Sequence, residues 1–127
     1  MKLFVVRHGE TIENATGYIM GHNPGRLTKE GVAQSKLLGK RLAKEKIDIF
    51  YCSDLRRTKD TLKEVLKYHK KTPVVYSPDI RERNLGVFQG KKRNEVNWNK
   101  LSGSFMNQKP KGGESLMELK KKSPEFF

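Results

Sequence analysis

The chain opens with Leu3-Phe4-Val5-Val6-Arg7-His8-Gly9-Glu10-Thr11, an apolar run that turns polar at once. A short, continuous run of β-branched and aromatic residues is typical of a strand buried on both faces, as in parallel sheets covered by helices. Residues 3–6 therefore predict a first strand. Its carboxyl end would deliver Arg7 and His8 to the sheet edge where open α/β folds bind their ligands.

Arg7, His8 and Gly9 together have the chemistry of a phosphate site. A guanidinium forks onto phosphate oxygens, and a glycine lets backbone N–H groups approach closely. A neutral imidazole can then attack phosphorus as a nucleophile. Taken alone, the pair is explained equally well as polar chain that leaves the core.

Strands and helices alternate along the rest of the chain. Residues 13–26 are rich in Gly, Asn and Pro and predict a loop over the strand ends. Thr28 then caps a helix with an apolar face. Residues 47–52 predict a second strand, with Cys52 buried in it, and residues 55–68 a helix capped by Ser53 or Asp54.

Later segments are shorter. Residues 74–76 predict a third strand, and residues 95–101 a short helix anchored by Trp98. Residues 115–118 read as a capping box that starts a final helix. The terminal Phe126 and Phe127 look like interior residues of a fold that has been cut, and we expect their burial to be lost in residues 1–127.

Two charged clusters are candidates for the same site. Arg56 and Arg57 fall in the first turn of a predicted helix, where cations are unfavourable unless an anion lies among them. Residues about 100° apart on a helix cannot both face one pocket. Glu82 stands between Arg81 and Arg83; it is either part of a solvated ion-pair cluster or a proton donor to a leaving oxygen. The less favoured alternative for Arg56 and Arg57 is an ordinary solvated pair.

Composition limits the function classes. The 127 residues are 35% hydrophobic, have a mean hydropathy of −0.77 and carry a formal net charge of +13. No apolar run approaches the ~18 residues of a membrane helix, so we expect no membrane association and a cytoplasmic protein. Three scattered His and one Cys argue against a zinc cluster. The charge favours anionic partners, but the absence of a nucleic-acid motif makes nucleic acid a disfavoured partner.

Four motifs occur in an order that resembles the histidine phosphatase superfamily, also called phosphoglycerate mutase-like. The motifs are Arg7-His8-Gly9-Glu10-Thr11, Ser53-Asp54-Leu55-Arg56-Arg57-Thr58, Arg81-Glu82-Arg83 with Gly86 and Gly90, and Gly112-Gly113-Glu114-Ser115. The resemblance implies a three-layer α/β/α fold with a mostly parallel sheet. It also implies a phosphatase that needs no metal or other cofactor.

The resemblance assigns roles to individual residues. His8 would take the phosphoryl group as a phosphohistidine, Arg7 and Arg57 would bind the phosphate, and Glu82 would be the proton donor. Asn14 would be a further contact to phosphate or substrate, and Gly21 is a family mark in the same loop; we place both in the binding site. Residues 53–61 and 81–91 look most like those of phosphatases related to fructose-2,6-bisphosphatase. This likeness predicts a small phosphorylated metabolite as substrate.

One departure from the family pattern sets the alternatives. The family has a second catalytic His after a further strand that lies between the first and second strands, and residues 1–127 contain neither. We therefore predict one domain over residues 1–127 that is C-terminally incomplete. Open strand edges would favour a homo-oligomer or a partner. The alternatives are phosphoglycerate mutase activity, or a non-catalytic phosphate-binding or interaction protein.

Overall fold

The computed structural model describes residues 1–122. Within that range the helices are α1 (Ile12–Thr16), α2 (Lys29–Leu42), α3 (Arg56–Leu66) and α4 (Leu116–Lys122), and the strands are β1 (Phe50–Ser53) and β2 (Val74–Ser77). Short 3-10 turns occupy Pro78–Ile80, Gly86–Phe88, Arg93–Glu95 and Trp98–Lys100. The prediction made for Phe126 and Phe127 falls outside the described residues.

Strands β1 and β2 form a parallel two-stranded sheet in which Cys52 pairs with Tyr76. Helix α3 packs against β1 on one side and against α2 on the other. Parallel strands joined by a helix are the unit of α/β folds, so the α/β prediction is confirmed. Cys52 is a buried, free cysteine in β1, as predicted.

The predicted first strand is wrong for this structure. Residues 3–6 form no strand within the described chain, and Leu3, Val5 and Val6 are 59%, 82% and 53% exposed. An apolar run indicates that a segment can be buried, but a strand also needs a neighbour for its backbone N–H and C=O groups. Within the described residues the sheet consists of β1 and β2, and residues 3–6 pair with neither.

Two of the predicted helix starts are confirmed. The Thr28 hydroxyl accepts a hydrogen bond from the Gly31 N–H at 3.0 Å and caps α2. Ser115 and Glu118 exchange side-chain-to-backbone bonds of 3.1 and 2.8 Å, which is a capping box at the start of α4.

Three local predictions are wrong. Helix α3 has Leu55 at its N-cap without a side-chain bond, because the Asp54 carboxylate binds Arg81 instead of the helix end. The predicted loop at 13–26 contains most of α1, which begins with a capping box between Thr11 and Asn14. Residues 95–101 form 3-10 turns instead of a helix, and Trp98 packs its ring edge-to-face on Phe88 at 5.0 Å.

Residues 9 and 10 are held against α2 by close backbone contact. A Cβ on Gly31 would lie 2.0 Å from the Glu10 carbonyl oxygen, which also accepts the Thr28 N–H at 3.0 Å. Only a glycine allows this approach. The contact fixes the chain that follows His8 without any strand ladder.

Gly31→Ala tests this packing, because helix propensity and overpacking change the free energy of unfolding in opposite directions. Alanine in a helix ordinarily gains about 1 kcal/mol over glycine, but here overpacking should cost about 1–3 kcal/mol of the free energy of unfolding. The urea midpoint should therefore fall. Lys36→Ala, on the exposed face of α2, is the control and should change stability by less than about 0.5 kcal/mol. A Gly31→Ala protein as stable as wild type would contradict the packing.

Over residues 1–122 the structure has no helix that is both long enough and apolar enough to cross a membrane.

Candidate active site

His8 is oriented by a hydrogen bond within its own turn. Its Nδ1 lies 2.8 Å from the carbonyl oxygen of Gly9. A carbonyl oxygen can only accept, so Nδ1 carries the hydrogen and Nε2 keeps its lone pair. The Gly9 N–H in turn donates to the hydroxyl of Thr61 at 3.0 Å. The ring is thus held from α3 in the tautomer that a nucleophile needs.

Arg57 enters the site from the first turn of α3. It is only 2% exposed, and its Nη1 and Nη2 donate to the carbonyl oxygens of Asn23 at 2.6 Å and Gly21 at 2.9 Å. Its Nε is buried and has no hydrogen-bond partner in the described structure. Arg56 instead lies on the surface beside Asp60 at 3.4 Å. As the helical spacing predicts, one arginine of the pair points inward.

The charges of the candidate residues influence one another. Burial lowers the pKa of His8 below its ordinary value, and the charges of Arg57 and Arg7 act in the same direction. The Gly9 hydrogen bond and the Glu82 charge oppose this shift. Burial also lowers the pKa of Arg57, against the attraction of Glu82 and Glu13. Neutral His8, the nucleophilic form, is therefore favoured.

Glu82 is exposed and its flanking arginines are engaged elsewhere. Arg81 forks onto the Asp54 carboxylate with two bonds of 2.5 Å, which lowers the Asp54 pKa. Arg83 donates to the carbonyl oxygens of Glu114 and Gln108 at 2.7 and 2.6 Å. The interpretation of Glu82 as one member of a local ion-pair cluster is therefore wrong. Its carboxylate accepts the Arg83 N–H at 2.9 Å.

Asn14 lies in α1, and Gly21 lies in the turn whose carbonyl oxygens hold Arg57. The Asn14 Oδ1 accepts the Thr11 N–H at 3.1 Å, so its amide nitrogen is the part suited to a ligand. Gly21 is buried with φ of 51°, and a Cβ there would lie 2.2 Å from Oε1 of Gln89. Gly21 therefore acts in this structure through its carbonyl, beneath Arg57. Arg7 is exposed next to His8.

Several residues that shape the site were missed by the sequence interpretation. Thr61 could have been found, because it lies four residues after Arg57 on the same inward helix face. Glu114 lies in the Gly112–Ser115 motif but was given no role, and neither Gln89 nor His22 was assigned to the site. Their contacts join segments that are distant in the sequence.

A cavity of about 260 Å³ lies on the α2 side of the site. Its lining is Val6, Arg7, His8, Gly9, Gln34, Ser35, Leu38 and Thr61. It reaches neither Arg57 nor Glu82. Among residues 1–122 no three His, Cys, Asp or Glu side chains are grouped as metal ligands.

A family model described as the histidine phosphatase superfamily, branch 1, matches residues 3–127. The chain belongs to the histidine phosphatase superfamily. The match spans all four of the motifs quoted above. The fold of this superfamily also agrees with the structure: an α-ribazole phosphatase from Shigella flexneri superposes with a TM-score of 0.86 at 27% identity, over 95% of this chain and 62% of that protein.

Curated members of the superfamily carry several functional names. A probable phosphatase of Schizosaccharomyces pombe is 35% identical over the whole chain and 59% of its own length. A metal-independent phosphoserine phosphatase of Arabidopsis thaliana is 36% identical, over 96% of the chain and 55% of its length. A probable phosphoglycerate mutase of Yersinia enterocolitica is 34% identical, over 94% of the chain and 58% of its length. The chain thus spans less than two thirds of these relatives.

The His8 pKa gives a pH prediction with a definite sign. Because the folded-state value lies below that of the unfolded chain, the unfolded chain binds more protons between the two values. The contribution of His8 to the free energy of unfolding should therefore rise with pH through that window, up to about 6.5. Below the folded-state pKa, His8 is protonated in both states, and the loss of stability caused by burying its charge is present in full.

An NMR titration of the His8 ring proton, in the folded chain and in urea, measures both pKa values. His8→Gln should remove the corresponding part of the pH dependence of stability. A folded-state value equal to or above the value in urea would contradict the shift.

Proposed function

We propose that the protein is a metal-independent phosphomonoesterase that forms a phosphohistidine on His8 and hydrolyses a small phosphorylated metabolite. The observation that carries the proposal is the pairing of a neutral, Nδ1-protonated His8 with the buried Arg57, whose Nε has no partner. The superfamily's phosphatase names support the same reaction class.

In the first half-reaction, Nε2 of His8 attacks phosphorus and the bond to the leaving oxygen breaks. Glu82, in its acid form, gives its proton to that oxygen, so the alcohol leaves neutral. In the second half, water attacks the phosphohistidine and Glu82 as carboxylate takes the water proton. The nitrogen–phosphorus bond breaks, inorganic phosphate leaves and His8 is restored.

The arginines would stabilise negative charge by hydrogen bonds and would form no covalent bond. Arg7 and the free Nε of Arg57 would bind the equatorial oxygens of the transferred phosphoryl group, where charge is spread during transfer. Removing one such donor typically costs about 3 kcal/mol in the transition state. The Asn14 amide would add a neutral donor, and Gly21 would act by holding Arg57.

Mutase activity is the alternative within the superfamily. A mutase shares the first half-reaction but returns the phosphoryl group to a second hydroxyl instead of water. The resemblance implies that family mutases carry an insertion between the positions of Gly90 and Gly112; the segment here is shorter, which favours hydrolysis. Within the described residues it consists of loop and the 3-10 turns at Arg93–Glu95 and Trp98–Lys100.

Three further points stay predictions. A cytoplasmic location and a single, incomplete domain over residues 1–127 rest on the sequence. Association through strand edges rests on the sequence as well; the exposed side chains of Leu3, Val5 and Val6 support association only through an apolar surface. A non-catalytic phosphate-binding protein remains the alternative from another class.

Trapping of the intermediate tests the proposal. The protein is mixed with a radiolabelled phosphomonoester, quenched in alkali, in which phosphohistidine survives, and mapped by mass spectrometry. The label should be on His8 and absent from His8→Ala. His69 is the matched control, because its ring also bonds a backbone carbonyl, that of Leu42 at 3.0 Å, but belongs to the α2–β1 side.

His69→Ala should therefore label almost as wild type does. Equal loss of label from His8→Ala and His69→Ala, or label on another residue, would overturn the His8 assignment. Phosphate binding without any covalent label would favour the non-catalytic alternative.

A further inference from the structure

His22 contacts the main chain of the proposed proton donor. Its ring Nε2 lies 2.8 Å from the carbonyl oxygen of Glu82, a residue 60 positions later in the chain. Because the carbonyl can only accept, Nε2 carries the hydrogen. The ring is mostly enclosed, with 21% of the side chain exposed. His22 is therefore placed as a donor that fixes the Glu82 backbone.

The backbone of His22 is fixed independently of its ring. Its N–H donates to Oε1 of Gln89 at 2.7 Å, and the same oxygen accepts the Leu85 N–H at 3.1 Å. The carbonyl oxygen of Gly21, the preceding residue, accepts a hydrogen bond from Nη2 of Arg57 at 2.9 Å. A stretch of two residues thus links the buried phosphate-binding arginine to the segment that carries Glu82.

Glu114 stands behind this link. Its Oε1 lies 3.8 Å from Nε2 of His22 and accepts the Asn84 N–H at 2.7 Å. Its Oε2 pairs with Lys122 at 2.5 Å. Glu114 is 7% exposed, and its two oxygens tie the chain just after Glu82 to α4. The main chain is thereby held at Glu82 itself by His22 and at Asn84 by Glu114.

We propose that His22 is a positioning residue for Glu82, which keeps the acid in register with the phosphate held by Arg57. The inference rests on the proposed phosphatase function. The Glu82 side chain is exposed, and the hydrogen bond described for its carboxylate is to the N–H of the next residue, Arg83, so its position depends on the local backbone. A proton donor must come within about 2.6–3.2 Å of the leaving oxygen. A misplacement of about 1 Å can cost about a hundredfold in rate.

Leaving-group dependence separates positioning of the acid from a general structural role. Nitrophenolate leaves readily without a proton, whereas an alkyl alkoxide must be protonated. A misplaced Glu82 should therefore slow transfer from phosphoserine and spare transfer from p-nitrophenyl phosphate. A loosened or partly unfolded protein would slow both equally.

The variants are His22→Ala, which removes the donor, and His22→Gln, which retains an N–H donor at the end of the side chain. His22→Ala should lower the rate of His8 phosphorylation by phosphoserine about tenfold or more, with less than about threefold loss for p-nitrophenyl phosphate. Vanadate affinity should stay within about threefold. His22→Gln should recover much of the phosphoserine rate, and His69→Gln should behave as wild type with both substrates.

Glu82→Gln distinguishes a failure of the His22 positioning role from a failure of the proposed function. If Glu82→Gln shows the leaving-group pattern and His22→Ala does not, the positioning role is overturned and the proposed function stands. If Glu82→Gln shows no such pattern, or wild type forms no phosphohistidine, the proposed function fails and the positioning role falls with it. Equal loss on both substrates in His22→Ala also overturns the positioning role.

A second measurement needs no turnover. Nitrogen-15 NMR of the His22 ring in the neutral state should show the hydrogen on Nε2, as the bond to the Glu82 carbonyl requires. The Nδ1-protonated tautomer would overturn the contact itself.

Discussion

The buried guanidinium of Arg57 is the constraint on which the rest of the site depends. Burial of a charge costs several kcal/mol unless hydrogen bonds compensate for it. Here the compensation comes from the carbonyl oxygens of Gly21 and Asn23. The loop can offer them only because Gly21 adopts a positive φ of 51° and leaves room for Gln89. The Nε that remains without a partner is the donor that we propose for the phosphoryl group.

Helix α3 organises both halves of this site. One inward face carries Arg57, which shapes the loop, and Thr61, whose hydroxyl accepts the Gly9 N–H beside His8. Helix α2 supports the same turn, because Gln34 accepts the Glu10 N–H at 2.9 Å. His8 is therefore positioned by two helices in the described structure. These contacts hold the turn that carries the His8 ring although residues 3–6 form no strand.

Local chemistry could be predicted from the sequence, and long-range choices could not. The Thr28 cap and the Ser115 capping box each follow from residues within one turn of each other. Helical spacing indicated that only one of Arg56 and Arg57 can face the pocket, and the resemblance to the family singled out Arg57. Asp54 was expected to cap α3, but Arg81, 27 residues away, binds it instead. The apolar run at residues 3–6 indicated a segment that can be buried, but it did not indicate which strand would pair with it. The contacts of His22 likewise carry no sequence pattern.

The central claim is that Arg57 holds the loop with its two terminal nitrogens and the phosphoryl group with its Nε. The most direct test is a crystal structure of the protein with vanadate, which mimics the phosphoryl group in transfer. Vanadium should lie within bonding distance of His8 Nε2, with an equatorial oxygen on Arg57 Nε and the bonds to Gly21 and Asn23 intact. Vanadate bound away from His8, or an Arg57 that leaves the loop carbonyls to reach it, would contradict the claim.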